Sequence, residues 1–243
     1  MWPVVLLIAV ALAAAFVLAT TGFGFGLFSI PFLMALVDPR EAVVLSLLFS
    51  LIITSAMLAR REVRQSIRFS LVIPLFVCSL PGLPIGAYLL QIVDGRLLRV
   101  GTCLLVVAAS AFLVVRGGAR RENGRLAVAA VGFTSGLLAT STSLSGTPVA
   151  LFATTERLSK HDFRSSLAAY SWLNILLSLA TLGASGMVLD QTLVLAGVAL
   201  PALLVGYWCG TRFFGRLSHS RFSQLIPLVT VVAGAVGLVT TFW

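Results

Sequence analysis

The sequence predicts an all-α polytopic membrane protein built from two inverted-topology repeats. Three observations predict it: 59% of the 243 residues are hydrophobic and only 10% charged, a motif returns in the second half, and basic residues cluster between apolar stretches. This composition leaves too little polar surface to cover a water-soluble globule. We expect each repeat to hold a broken or re-entrant helix hairpin and three transmembrane helices, about eight transmembrane segments with each hairpin counted as one, or up to about ten helical pieces.

The repeat is visible as a short motif. Leu80–Gly86 (LPGLPIG) returns 120 residues later as Leu200–Gly206 (LPALLVG), and Ser46-Leu47 returns at the same offset as Ser166-Leu167. A period this long indicates duplicated halves rather than a solenoid. We therefore divide the single transmembrane domain into a first repeat over 1–117 and a second repeat over 118–243.

Apolar stretches define the elements of each repeat. The expected elements are a hairpin over 2–37, helices within 42–115, a second hairpin over 126–155, and helices within 163–243. A transmembrane helix needs about 20 apolar residues. The second arm of each hairpin is much shorter: Leu27–Val37 in the first hairpin and Val149–Thr155 in the second. Each hairpin is therefore expected to be re-entrant or broken, although two full crossings would leave the sidedness of every loop unchanged.

The first hairpin arm could be mistaken for a signal peptide, because Met1–Ala19 is apolar and ends in small residues. It lacks a basic n-region, so we expect it to be part of the folded protein. Downstream, close packing of helices is expected at small residues spaced by four, and kinks are expected at prolines. These positions are Gly82, Gly86, Ala202, Gly206 and Gly210 for packing, and Pro74, Pro81, Pro84 and Pro201 for kinks.

Lys and Arg predict which side each loop occupies. Of the 17 basic residues, 14 lie in four loops, 60–68, 116–125, 157–164 and 212–221. The positive-inside rule assigns these loops to the cytoplasm. Both termini are then expected outside, and the odd number of crossings in each half inverts the second repeat relative to the first.

Both hairpins are interrupted by a polar or glycine-rich segment. The first break is Thr20–Gly26, before a helix expected to restart near Phe28–Pro31, and the second is Thr140–Thr147, before Pro148. Irregular backbone at membrane depth needs protein or a watery cavity around it, and a helix N-terminus there attracts anions. The expected substrate-binding residues at the breaks are Gly22, Gly24, Gly26, Ser29, Thr140, Ser141, Ser143, Ser145, Gly146 and Thr147.

One alternative is that the breaks are only kinks and packing sites, since small residues are common between transmembrane helices. Their occurrence in corresponding positions of the two halves favours a substrate site instead. On the same reasoning, Pro31 and Pro148 are expected at equivalent positions.

Polar residues recur at every fourth position in the helix after each hairpin, which places them on one helix face. They are Ser46, Ser50 and Thr54 in the first half, and Ser166, Tyr170, Asn174 and Ser178 in the second. The alternative is that the hydroxyls bond back to their own helix. An unpaired amide in an apolar segment is costly, so we add Asn174, with Ser50 and Tyr170, to the expected substrate-binding residues.

The charges predict the class of substrate. All eight acidic and all 17 basic residues are expected in loops or at helix ends, so a cation would find no carboxylate inside a span. An anion would find two helix ends and a set of hydroxyls. We therefore expect a small anionic substrate and a lipid bilayer as the surroundings, with no metal, cofactor or catalytic group, no enzymatic activity and no nucleic-acid partner.

The first break leading to Pro31, the basic loop after the third segment and the repetition of the whole pattern resemble the sulfite exporter TauE/SafE family over essentially the full chain. The family's first signature falls on Gly22, Gly24, Gly26 and Pro31, interrupted by Phe25. Its second signature falls on Ser143, Ser145, Gly146 and Pro148, where hydroxyl residues replace glycines. The resemblance implies export or exchange of sulfur-containing anions, such as sulfite or organosulfonates, in a prokaryotic plasma membrane.

These patterns predict a secondary transporter that moves a small sulfur-containing anion by alternating access. Two alternatives stay open: an anion channel with the same dipole-lined site, and a transporter of a non-sulfur organic anion. Direction, coupling ion and oligomeric state are also open at this point.

Overall fold

The computed structural model describes residues 2–98, 100–101, 104, 124–154, 156, 158–187 and 190–216, and the regular structure in these ranges is helical throughout. The ten helices that we label are α1 (Trp2–Thr21), α2 (Phe25–Leu36), α3 (Pro39–Leu58), α4 (Arg61–Gln65), α5 (Phe69–Ser79), α6 (Gly82–Ile92), α7 (Arg125–Thr142), α8 (Gly146–Ala153), α9 (Lys160–Ala184) and α10 (Asp190–Arg216). Further helical backbone occurs at 95–98. The all-α prediction is confirmed for this part of the chain.

Within the described ranges, four helices are long and apolar enough to cross a membrane. Their apolar spans are Val4–Thr21, Pro39–Leu58, Lys160–Ala184 and Thr192–Arg216, and the pair α5 and α6 makes a fifth candidate. The protein is therefore a multi-pass membrane protein. Of the ranges predicted to hold helices, 42–115 and 163–243, the parts 105–115 and 217–243 lie outside the described residues.

A bend divides the apolar stretch from Phe69 to Val93. Helix α5 ends at Ser79, α6 begins at Gly82, and the two axes differ by 48°. Pro81 precedes α6 directly and has no backbone N–H to continue the hydrogen-bond ladder of α5. The kink expected from the prolines is found at this point.

Local sequence also fixes where the long helices start. The Asp38 side chain accepts a hydrogen bond from the Arg40 backbone N–H at 2.9 Å, with Pro39 as the first residue of α3. Ser159 caps α9 in the same way, accepting from the Asp162 N–H at 3.0 Å. Both are typical N-caps, and they give α3 and α9 fixed starting points in the bundle.

Three of the four predicted basic loops meet, in their described parts, at one end of the molecule, which we call the basic end; most of the fourth, 116–125, lies outside the described residues. The Arg68 guanidinium lies 2.7 Å from the Asp162 carboxylate, Arg60 lies over the Tyr207 ring, and Lys160 lies over the Phe214 ring. Residues 60–68, 158–164 and Arg212–Arg216 are thus close together, as the sidedness argument requires. Their assignment to the cytoplasm stays a prediction.

The predicted close packing is confirmed at four glycines. Gly82 and Gly86 of α6 lie against the Phe133 and Leu137 carbonyls of α7. Gly206 and Gly210 of α10 lie against the Leu12 and Phe16 carbonyls of α1 in the same manner. The long arm of each hairpin therefore packs against a helix from the other half of the chain, with no side chain between the backbones.

Candidate functional site

The first break turns the chain within three residues. Helix α1 ends at Thr21 and α2 begins at Phe25, with Gly22 at φ +85° and Gly24 at φ +88°. Residues with a side chain rarely adopt this left-handed backbone conformation, so the two glycines permit so tight a turn. The helix start expected near Phe28–Pro31 is wrong by about one helical turn, because the glycines make the turn shorter than expected.

The second break has the same form with a different residue at its turn. Helix α7 ends at Thr142, Ser143 takes φ +58°, and α8 begins at Gly146. Pro148 is the third residue of α8, whereas Pro31 is the seventh residue of α2. The expectation that the two prolines are equivalent is therefore wrong, because α2 begins one turn earlier relative to its proline.

The two breaks touch each other. Gly26 lies against the Ser143 carbonyl, and a Cβ added at Gly146 would lie 2.9 Å from the Phe23 Cβ. The Ser143 hydroxyl donates a hydrogen bond to the Ser46 hydroxyl of α3 at 3.0 Å. Ser46 also pairs with Ser29 of α2 at 3.2 Å, so one serine of α3 joins both hairpins.

A small cavity of about 20 Å³ lies between the two breaks, α3 and α9. Six of the predicted site residues line it: Gly24, Gly26, Ser50, Ser143, Ser145 and Gly146. The remaining lining residues are Thr54, Ser171, Leu18, Phe23, Phe25 and Ile175. The wall is thus made of hydroxyl groups, glycine backbone and apolar side chains, and no charged residue contributes to it in the described ranges.

Both short helices begin at this cavity. Gly24 and Ser145 hold the N-cap positions of α2 and α8, and neither provides a side-chain hydrogen bond to the helix. The first N–H groups of a helix have no partner within it, and they carry about half a positive charge in sum. Two such ends at one cavity give it a positive potential without a formal charge, which suits a small anion.

Other predicted residues are buried around the cavity rather than in its wall. Gly22 lies against the Arg164 backbone carbonyl, and Ser29 bonds to Ser46. Thr140 donates to the Leu83 carbonyl of α6 at 2.8 Å, and Ser141 bonds back to the Leu137 carbonyl at 2.7 Å. Thr147, in the first turn of α8, is also buried.

Tyr170 is linked to the second break by a chain of hydrogen bonds. Its hydroxyl donates to the Ser135 hydroxyl at 2.8 Å, and Ser135 donates in turn to the Ser145 carbonyl. Asn174 is fully buried one turn further along α9. Its amide is near the Tyr170 hydroxyl, but neither of its polar atoms has a hydrogen bond of good geometry within the described residues.

Sequence reasoning missed Ser171 and Arg164. Ser171 falls outside a strict spacing of four, although a helical period of 3.6 residues places it on the same face as Asn174 and Ser178. Arg164 was expected in a basic loop at the end of a helix. The structure instead makes it the fifth residue of α9, with its side chain only 6% exposed.

The described residues contain no group of three or more His, Cys, Asp or Glu side chains placed to hold a metal ion. The polar groups at the cavity are hydroxyl and backbone N–H donors, which stabilise negative charge. The arrangement is therefore suited to binding an oxyanion.

Comparison with known proteins identifies one family. The family model described as Sulfite exporter TauE/SafE matches residues 7–237. The matched region includes both breaks and every residue that lines the cavity. No curated protein matches the chain at a significant level, and no solved structure does.

Proposed function

The chain belongs to the sulfite exporter TauE/SafE family, and on that premise we propose that it is a secondary transporter of a small sulfur-containing anion. The substrate class comprises sulfite, organosulfonates and similar anions. Transport takes place by alternating access across a prokaryotic plasma membrane, with the basic end in the cytoplasm and both termini outside.

The observation that carries this proposal is the meeting of two uncapped helix N-termini at one hydroxyl-lined cavity. Half-length helices that point their N-termini at a shared site are a recurring way for transporters to bind anionic groups. Ser50, Ser145 and Ser171 add hydroxyl donors for the oxygens of the anion. Apolar residues such as Ile175 form the remaining part of the wall.

Reciprocal contacts support the inverted-repeat architecture. Thr140 of α7 donates to the Leu83 carbonyl of α6 at 2.8 Å. The Thr20 hydroxyl of α1 donates to the Phe16 carbonyl of its own helix at 2.7 Å, with the Gly210 carbonyl of α10 as a second, longer acceptor at 3.3 Å. The two threonines are separated by the same 120 residues as the repeated motif. Each hairpin thus contacts a helix from the other half of the chain. This reciprocal arrangement is what an inverted repeat around a shared cavity predicts.

An anion channel is the second candidate, because it would use the same cavity without alternate closure. The direct contact of the breaks, Gly26 against Ser143 and Gly146 against Phe23, favours a site that closes. A carrier of a non-sulfur organic anion would share this geometry as well.

The test is solute flux in proteoliposomes that contain the purified protein. We expect saturable uptake of sulfite, thiosulfate or an organosulfonate, with counterflow of labelled substrate driven by unlabelled substrate inside. Non-saturating flux without counterflow would favour the channel, and uptake of carboxylates alone would favour the non-sulfur carrier. Uptake of cations in the absence of anion uptake would contradict the proposal.

A further inference from the structure

Buried polar atoms without a hydrogen-bond partner concentrate on one helix. Six such side-chain atoms occur in the described residues, and five of them belong to α9. They are Arg164 Nη2, Ser171 Oγ, Asn174 Nδ2, Asn174 Oδ1 and Ser178 Oγ. With 3.6 residues per turn, the four residues fall within about 80° around the helix and extend about 21 Å along it. We call this surface the open face of α9.

Unpartnered hydroxyls are not a general feature of these helices. Ser141 and Thr142 of α7 bond back to carbonyls in their own helix, and so does Thr54 of α3. In α9 itself, Thr181 bonds back to the Leu177 carbonyl at 2.8 Å. Leaving a buried donor or acceptor unpaired costs about 1–3 kcal/mol, so a row of them indicates groups that a solute or water completes.

Arg164 lies at the basic end of the open face. Its Nε donates to the Ala19 carbonyl at the end of α1 at 2.7 Å, and its guanidinium carbon lies 4.4 Å from the centre of the Phe214 ring. Nη2 is left without a hydrogen-bond partner in the described part of the chain. The side chain is thus held in place by two contacts, while one pair of its N–H donors has no partner among the described residues.

No carboxylate within the described residues pairs with Arg164. The nearest in sequence, Asp162, is engaged by Arg68 at 2.7 Å. The segment 217–243 contains no Asp or Glu in its sequence. Among the described residues Arg164 is thus a buried cation without a counter-charge, which is costly, and the carbonyl end of α1 offsets only part of that cost.

We propose that Arg164 is a second binding residue for the transported oxyanion, and that the anion moves along the open face of α9. Along the helix this face runs from Arg164 at the basic end, past Ser171 at the cavity, to Asn174 and Ser178 beyond it. Ser171 belongs both to the open face and to the cavity wall. Seven residues of helix separate it from Arg164, about 10 Å, so the two positions are distinct sites. This inference rests on the proposed transport of an anion.

A purely structural role would make Arg164 a cap for the last carbonyls of α1. The two roles differ in what they predict for transport. A cap stabilises the fold and leaves substrate affinity unchanged once the protein is folded. A binding residue sets the concentration of anion at which transport is half-saturated.

The experiment measures initial rates of radiolabelled sulfite uptake in proteoliposomes for wild type, Arg164→Gln, Arg164→Lys and Arg212→Gln. Arg212 is the matched control, since its guanidinium also lies over an aromatic ring, that of Trp208 at 3.9 Å, but it is exposed. We expect Arg164→Gln to raise KM about tenfold or more, because a charge-assisted hydrogen bond to the anion is lost. Arg164→Lys should raise KM less, since its charge is kept, and Arg212→Gln should stay within about twofold of wild type.

A folded Arg164→Gln protein with the KM of wild type would overturn the inference. If that variant does not fold, Arg164→Lys decides: a KM at least about threefold above wild type supports a binding role, and an unchanged KM contradicts it. Failure of the proposed function is a separate result, because wild-type protein would then show no saturable sulfite uptake at all.

Discussion

At the residue scale, one atom or one charge at the cavity is expected to decide whether the anion binds. Ser145 is the clearest case, because it lines the cavity at the N-cap position of α8 without capping the helix. A carboxylate there would occupy the positive end of the helix that we assign to the anion. We expect Ser145→Asp to abolish sulfite uptake, whereas Ser145→Asn, which has the same shape without the charge, retains measurable uptake. Full uptake by a folded Ser145→Asp protein would remove the argument for an anion site.

Gly26 permits close contact between the two breaks because it has no side chain. A Cβ at this position would overlap the Ser143 carbonyl, so the two breaks would have to move apart. We expect Gly26→Ala to lower stability by about 1–3 kcal/mol and to reduce uptake, as overpacking does. The control is Gly197→Ala in α10, where an added Cβ meets nothing within 4 Å and better helix propensity should leave stability equal or higher. Thermal unfolding in detergent measures both, and equal effects would contradict this role for Gly26.

Helix α9 connects the elements of the site. Through Tyr170 and Ser135 it holds the Ser145 carbonyl at the start of α8. Tyr170→Phe removes one buried hydrogen bond and should cost about 1 kcal/mol of stability, with a raised KM because α8 is less firmly placed. Tyr88→Phe, at a residue that is 62% exposed, is the control and should change neither quantity. If Tyr170→Phe equals wild type in both measurements, the hydrogen-bond chain does not position the site.

A substitution at Asn174 tests whether the open face of α9 takes part in transport. Within the described residues neither of the buried Asn174 amide atoms has a hydrogen bond of good geometry, so Asn174→Leu removes a cost to folding and should keep or raise stability. If the open face is in the path of the anion, uptake should nevertheless fall about tenfold or more, because an apolar side chain desolvates the anion without a compensating hydrogen bond. Thermal unfolding and sulfite uptake measure the two effects, and Thr181→Val serves as the control. Unchanged uptake would mean that Asn174 lies outside the path.

At the scale of the whole molecule, the sequence predicted the helical membrane class and the family, whereas the inverted repeat and the eight spans stay predictions. Composition gave the membrane class, short apolar stretches gave the hairpins, and the resemblance gave the family that the comparison confirmed. The start of α2 could not be placed, because two glycines with positive φ allow a shorter turn than the apolar pattern suggests. The burial of Arg164 could not be foreseen either, since it depends on α1 and Phe214, both far from it in sequence.

The central claim is that the two breaks form one anion site between the starts of α2 and α8. The most direct measurement is an experimental structure of the protein with selenite, an analogue of sulfite whose selenium can be located by anomalous scattering. We predict a selenium peak in the cavity, within hydrogen-bond distance of the first N–H groups of both short helices. A cavity without selenium under saturating selenite, or a cation bound there by backbone carbonyls, would contradict the claim.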